Sequence, residues 1–326
     1  MENLTHTLVG LMMARCGLEN VTPRGAGMLM LAANMPDIDA ISWLGGSTIY
    51  LEYHRGPTHA LLFAPLVALL PMLLVRAKFS LRTWFASLTG VLSHLLIDWT
   101  MSYGTPLLLP FSPRRWRLDI NNLVDLWVTV ILLTAVAATL LVHMVNREIG
   151  AKSQNSARRG WAWAALIALL CFEGLRWFSH EKAISVMASR LYGSVPAKRI
   201  TALPGTFNPF LWRGVVEYSA HSKDYVLITS VNVSPLNSAL NLAPPYDPSA
   251  GRSYPIIDPV PEMSSVMRTR QFQVFASFSQ LPFWEVMPVD GGTRLSLMDL
   301  RFGDPGVLGF GGVTAVVDPT GAVHLN

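Results

Sequence analysis

TWFASLTGVLSHLLIDWTM, residues 83–101, is the stretch whose reading decides the class of this protein. It is long and apolar enough to cross ~30 Å of hydrocarbon, which takes about 20 residues. Yet it carries His94 and Asp98. An ionisable pair in such a segment is costly and marks a functional position. At a spacing of four on a helix, both side chains share one face, one turn from each other. The pair suits chelation of one divalent ion, or Asp98 can orient His94 as an outer partner. The plainer alternative is a hydrogen-bonded pair that tightens helix packing. Desolvation inside a membrane span weighs against that alternative.

The rest of the chain supports a membrane setting. Of its 326 residues, 51% are hydrophobic and only 14% charged, against roughly 25% in soluble domains. The net charge of +4 is small, and basic residues form no long run with interleaved aromatics, so nucleic-acid binding is not expected. Cys16 and Cys171 lie far apart on predicted helices, where they read as small buried residues rather than a disulfide. No removable signal peptide is expected at the start.

Working outward, residues 4–16 and 24–35 read as short helices. They are too short to span alone, so they lie at the interface or pack against spanning helices. Four spans are expected at 59–75, 83–101, 123–145 and 161–178. Trp161, Trp163 and Trp177 flank the last as an aromatic belt. Arg76, Lys78 and Arg82 fill the turn between the first two spans. Arg147, Lys152, Arg158 and Arg159 fill the connection between the last two. This basic density assigns both loops to the cytoplasm, although Arg114, Arg115 and Arg117 occupy the opposite loop. Residues 179–200 read as an amphipathic helix leaving the membrane. Strands are expected at 215–218, 225–231, 271–278, 284–289 and 294–302, with an irregular Pro/Ser-rich excursion at 232–268. The expected fold is an α-helical polytopic membrane domain, about four transmembrane helices plus short N-terminal helices, followed by a small β-rich soluble domain. The expected boundaries are 1–178, 179–200 and 201–326.

Three further motifs carry metal-ligand chemistry. His54 and His59 flank an Arg55-Gly56-Pro57-Thr58 turn, and two imidazoles around a tight turn can converge on one site. Arg55 between them can bind an anionic oxygen such as phosphate. Alternatively the turn is an interfacial loop with snorkelling polar groups. Asp37 and Asp39 follow Pro36. They point apart if extended and converge in a turn, where one can ligate a metal while the other supports a histidine. The alternative is a helix cap. His6 is the weakest member, since a lone histidine on an apolar helix is usually just packed. With four spans, the end of the first at His59, the end of the second at Asp98, the loop 102–122 and Asp125 all fall on one membrane face.

The motifs Pro36-Asp37-Ile38-Asp39, His54-Arg55-Gly56-Pro57-Thr58-His59 and His94-Leu95-Leu96-Ile97-Asp98 are followed by Tyr103-Gly104-Thr105-Pro106-Leu107-Leu108 and Pro110-Phe111-Ser112-Pro113-Arg114. Together they resemble the LexA-regulated, inner-membrane, metal-dependent hydrolases, over roughly residues 1–145. That family is itself similar to the zinc-dependent phospholipase C and P1 nuclease superfamily, in which a His-x-x-x-Asp helix supplies metal ligands. The resemblance implies that His6, Asp37, His54, His59, His94 and Asp98 are metal or active-site residues, with Asp39 and Asp125 less directly matched. The β-rich tail lies outside it.

The expected function is therefore a membrane-bound hydrolase of an ester or phosphoester. A divalent ion, zinc by its mixture of imidazole and carboxylate donors, would activate water and polarise the scissile bond. The metal set would be His6, Asp37, His54, His59, His94, Asp98 and Asp125. Asp39 would take a proton and Arg55 would bind phosphate or developing charge. A site at a bilayer surface suits a lipid or lipid-linked substrate. The expected location is the inner (plasma) membrane, multi-pass, with the active face and C-terminal domain periplasmic. No Gly-x-Ser-x-Gly elbow or phosphate-cradling loop is present. Two rival classes remain: a proton- or metal-ion-translocating protein using His94 and Asp98, and a membrane anchor in which the motifs are scaffold.

Overall fold

The computed structural model describes residues 2–150, 155–233, 251–307 and 311–325. By internal contacts the chain divides into two units. The first comprises Met1–Ala40, Arg55–Phe178 and Pro204–Pro209, and the second Ile41–His54, Ser179–Leu203 and Phe210–Asn326. Residues 41–54, expected in the membrane domain, thus group with the second unit.

The first unit is helical. Helix α1 (Asn3–Arg15) buries Thr5, His6, Leu8, Val9, Gly10, Met12 and Ala14, and it packs on α2 (Gly25–Ala32). A helix covered on several sides needs apolar residues nearly all round, which is how residues 4–16 read. Gly10 makes the approach possible: a Cβ there would stand 2.7 Å from the Leu29 carbonyl. Beyond α2 the chain forms a 3₁₀ segment, Met35–Gly45.

Residues 59–75 do not form one straight span. After α3 (Ser47–Tyr53, assigned to the second unit) come a 3₁₀ turn at Pro57–His59, α4 (Ala64–Val67) and α5 (Leu69–Leu74). The segments Ser47–His59 and Ala64–Leu74 are bent by 89°. Pro57, Pro65 and Pro71 remove backbone donors at three points, and the helix breaks rather than bends smoothly.

Helix α6 (Leu81–Thr100) starts at Ser80, whose Oγ accepts from the Thr83 amide. It buries Gly90, Val91, His94, Leu95 and Asp98 along one face. A Cβ at Gly90 would meet Ala32 at 2.7 Å, so α6 and α2 cross in close contact there.

Helix α7 (Leu126–Glu148) and the part of α8 (Asn155–Ala188) from Ala157 onward are long and apolar enough to cross a membrane. The bent pair would make a third span, and α6 does not reach the required apolarity among the described residues. The four-span expectation therefore reduces to two or three. Only 22% of the apolar window of α7 and 28% of that of α8 is buried. The remaining apolar surface has lipid as its natural solvent. On the inner side, Leu8, Val9 and Met12 pack against Val128, Leu132, Ala135, Ala162, Ala165 and Leu169.

The second unit is mainly β. One antiparallel hairpin pairs β1 (Leu191–Tyr192) with β2 (Val195–Pro196). Helix α8 continues to Ala188, so the amphipathic helix expected over 179–200 is the end of α8 followed by this hairpin. Strands β3 (Arg199–Pro204), β4 (Leu211–Ala220), β5 (Lys223–Asn232) and β6 (Arg252–Pro255) form a sheet in that order. The β4–β5 turn is His221-Ser222, both at positive φ (50° and 62°), the twist that suits a two-residue hairpin. A second sheet runs β10 (Val323–Leu325), β9 (Gly312–Val317), β8 (Gly292–Asp299) and β7 (Pro282–Val289).

Residues 271–278, expected as a strand, form helix α10 (Arg270–Phe278) after the short α9 (Pro261–Val266). Phe272, Phe275 and Phe278 recur every three residues and are all buried, and that helical period overrides the local alternation of Phe272 and Val274. The excursion at 232–268 lies outside the described residues over 234–250. It carries β6 and α9 where it is described.

Candidate metal centre

The first unit brings seven of the expected site residues together: His6, Asp37, Asp39, Arg55, His59, His94 and Asp98. His59, ending the Pro57–His59 turn, stands at the middle. Its Nδ1 lies 3.2 Å from Asp39 Oδ2, and its Nε2 lies 3.3 Å from Asp37 Oδ1. The 3₁₀ winding of residues 35–45 is what lets two carboxylates two apart converge instead of pointing to opposite sides. Asp39 Oδ2 also accepts from the Arg55 amide (2.9 Å) and from Thr58 Oγ1 (2.7 Å). It is an orienting group for the turn.

Helix α6 supplies the opposite wall. His94 Nδ1 lies 2.7 Å from the Ala33 carbonyl. A carbonyl only accepts, so Nδ1 carries the hydrogen and a neutral His94 presents a bare Nε2. In a neutral His59, a hydrogen on Nδ1 directed at the Asp39 carboxylate leaves Nε2 bare in the same way. The two bare Nε2 atoms then face each other at 3.2 Å. Two lone pairs at that distance repel unless a proton or a cation lies between them. Asp98 Oδ2 completes the group, 3.6 Å from His59 Nε2 and 3.5 Å from His94 Nε2.

His59 Nε2, His94 Nε2, Asp37 Oδ1 and Asp98 Oδ2 thus form four corners. Five of the six edges measure 3.2, 3.3, 3.5, 3.6 and 3.6 Å. Donor atoms about 2.0–2.2 Å from an ion at tetrahedral angles stand about 3.3–3.6 Å apart. Charge points the same way. Among the described residues three carboxylates face one guanidinium, Arg55, and the two negative charges left over match one divalent cation. The residues present therefore fit such an ion.

His6 is the sixth histidine or aspartate at this centre. Its ring stacks on His94 (centroids 3.8 Å, interplanar angle 20°), and Nε2 is 3.4 Å from Asp98 Oδ1. Among the described residues neither ring nitrogen makes a hydrogen bond, although the residue is fully buried. Burial and the neighbouring His94 push its pKa down to about 3 against the pull of Asp98, so the ring is a neutral donor. Burial would raise the Asp37 carboxyl, but the neighbouring His59 and His94 rings outweigh it and hold it at about 2.

Two expectations place differently, those for Arg55 and Asp125. Arg55 does not present its charge to an incoming anion: Nη2 pairs with Asp98 Oδ2 at 2.8 Å, and the guanidinium lies over the Tyr103 ring at 4.4 Å. A buried Asp98 needs that countercharge. Asp125 caps α7, its Oδ1 accepting from the amides of Trp127 (3.1 Å) and Val128 (3.3 Å). His54 ends α3 in the second unit, its ring stacked on Tyr50 at 4.5 Å. One participant escaped sequence reasoning. The Ala33 carbonyl carries no side-chain signal at all. Apart from this centre, the half-buried Glu173 of α8 accepts from Asn121 Nδ2 at 2.7 and 2.9 Å.

Apolar helices able to cross a bilayer, joined to a buried His/Asp cluster, define a membrane protein with a polar site in its helical unit. The chain belongs to the YdjM inner membrane protein family, whose model matches residues 1–183. It is 31% identical over 150 residues to the uncharacterized protein YfhP of Bacillus subtilis, covering 42% of this chain and 46% of that protein. It is 32% identical over 120 residues to the inner membrane protein YbcI of Escherichia coli, covering 35% of this chain and 69% of that protein. The chain thus spans under half the length of YfhP. No solved structure matches.

Proposed function

We propose that this protein is a membrane-bound, metal-dependent hydrolase acting on an ester or phosphoester of a lipid or lipid-linked substrate. The observation that carries the reading is the buried meeting of His59 Nε2 and His94 Nε2 at 3.2 Å, with Asp37 and Asp98 around them. His59, His94, Asp37 and Asp98 would hold a divalent ion, with His6 beside them. A bound zinc-like ion supplies Lewis acidity to water and to a scissile ester. The chain's own residues prepare that role. Asp39 and the Ala33 carbonyl hold the two imidazoles in the tautomer that leaves both Nε2 atoms bare. Arg55 offsets the charge of Asp98 and so keeps that carboxylate ionised in a buried setting. The resemblance of the three motifs to metal-dependent hydrolases adds to this support, and membership of an inner-membrane family suits a substrate in the bilayer.

The test is metal content by elemental analysis of purified wild type, His59→Ala and His94→Ala, together with hydrolysis of chromogenic carboxylic and phosphate esters. Wild type should retain a divalent metal and hydrolyse one ester class. Both variants should lose the metal and at least about a hundredfold of the rate. Equal metal content in all three proteins would sink the proposal.

A further inference from the structure

At the opposite end of α6 from the His/Asp cluster lies a second feature of the helical unit. Two adjoining cavities, about 930 and 570 Å³, share Val21, Thr22, Pro23, Arg24 and Val75. Arg24 lines both, Arg158 lines the larger, and Arg76 and Lys78 line the smaller. The acid in the lining is Glu19, which pairs with Arg158 at 3.0 Å. Arg24 spends one guanidinium nitrogen on the Val75 carbonyl. The side chains of Arg76 and Lys78 make no hydrogen bond or ion pair among the described residues. Arg76 is held at φ 54°, a conformation easier for glycine.

Exposed apolar residues flank these cations along the chain. Phe79 and Leu81, on the same turn as Arg76 and Lys78, are 68% and 65% exposed. Leu73 and Leu74, one turn earlier, are 70% and 63% exposed. Cations inside and exposed leucine and phenylalanine beside them match a lipid's two parts, a phosphate head and an acyl tail. A free anion has no use for the second. Thr83, which lines the smaller cavity, and His94 are eleven residues apart on one helix, a rise of about 17 Å, so the cleft is separate from the His/Asp cluster.

We infer that this cleft is a binding site for the phosphate headgroup of an anionic phospholipid, held by Arg24, Arg76 and Lys78 at the bilayer surface where α6 begins. Each such cation contributes roughly a factor of five to attraction for anionic lipid. The inference stands independently of any hydrolytic activity.

The test uses the full chain, delipidated in detergent and titrated with phosphatidylglycerol or phosphatidylcholine, with bound lipid counted by native mass spectrometry. Wild type should prefer phosphatidylglycerol by about tenfold or more. The double variant Arg76→Gln, Lys78→Gln should lose that preference. The charge-keeping Arg76→Lys should retain it, as should Arg82→Gln, which removes an adjacent charge outside the lining. Unchanged binding by the double variant would overturn the inference, as would an equal loss in Arg82→Gln, which would show a diffuse surface effect. Inorganic phosphate displacing phosphatidylglycerol at equal concentration would overturn the lipid assignment in favour of a free-anion site.

Discussion

His59 is bracketed by carboxylates, Asp39 at Nδ1 and Asp37 at Nε2, and this is what turns a histidine at a helix break into an oriented donor. Without Asp39, the ring would be free to flip its tautomer, and the Arg55 amide and Thr58 hydroxyl would lose a shared acceptor. Asp39→Asn should therefore weaken metal affinity by about ten- to a hundredfold while leaving the helical content unchanged. Competition with a chromogenic zinc chelator, alongside far-UV circular dichroism, measures both. Undiminished affinity would mean that Asp39 does not orient His59. The motif residues themselves were legible in sequence, because histidine and aspartate in apolar surroundings are conspicuous. The division of labour was not. Asp37 and Asp39 are chemically identical, and only the path of the 3₁₀ segment sends one to each nitrogen.

At the level of elements, the cluster depends on how closely α6 crosses α2. Gly90 lies at that crossing, and the same contact brings His94 Nδ1 to the Ala33 carbonyl. Gly90→Val should separate the helices, costing about 1–3 kcal/mol of stability, and should also reduce metal retention. Asp125→Ala, at the start of α7, should cost about 1 kcal/mol through the lost cap and leave metal content unchanged. Thermal unfolding and elemental analysis of the two variants distinguish these roles, and metal loss in Asp125→Ala would return Asp125 to the ligand set. The long helices were readable because their apolar runs exceed the length of any strand. The broken segment at 59–75 and the helix at 270–278 were not. In the first, Pro65 and Pro71 stop a run that hydropathy alone would continue. In the second, strand and helix periods compete over a few residues and packing decides.

For the whole molecule, the buried cluster sets a pH dependence. His6 is held at about 3, well under its ordinary 6.5, so the unfolded chain takes up that proton first. Its contribution to stability is complete above pH 6.5 and is lost progressively as pH falls toward 3. Asp37 is held at about 2 against an ordinary 3.8, so its contribution is present above 3.8 and is lost as pH falls to 2. Both act in the same direction, toward acid unfolding. In chelator-treated protein the melting temperature should fall steadily from pH 6.5 to 4, and His6→Gln should flatten that slope. A slope unaltered in His6→Gln would show that His6 is not the titrating group.

The sequence by itself determined that this is a membrane protein with a β-rich C-terminal part. Apolar runs, their lengths and the shift to alternating patterns after residue 200 are local properties, and local physics reads them. It also marked which polar residues were out of place among apolar neighbours. Tertiary structure alone decided which of those residues meet. The tautomers of His59 and His94 depend on a carboxylate and a carbonyl from segments 20 and 61 residues away. Arg55 was assigned to Asp98 rather than to an anion for the same reason: a buried charge takes the nearest opposite charge in space, and distance along the chain does not reveal which one that is.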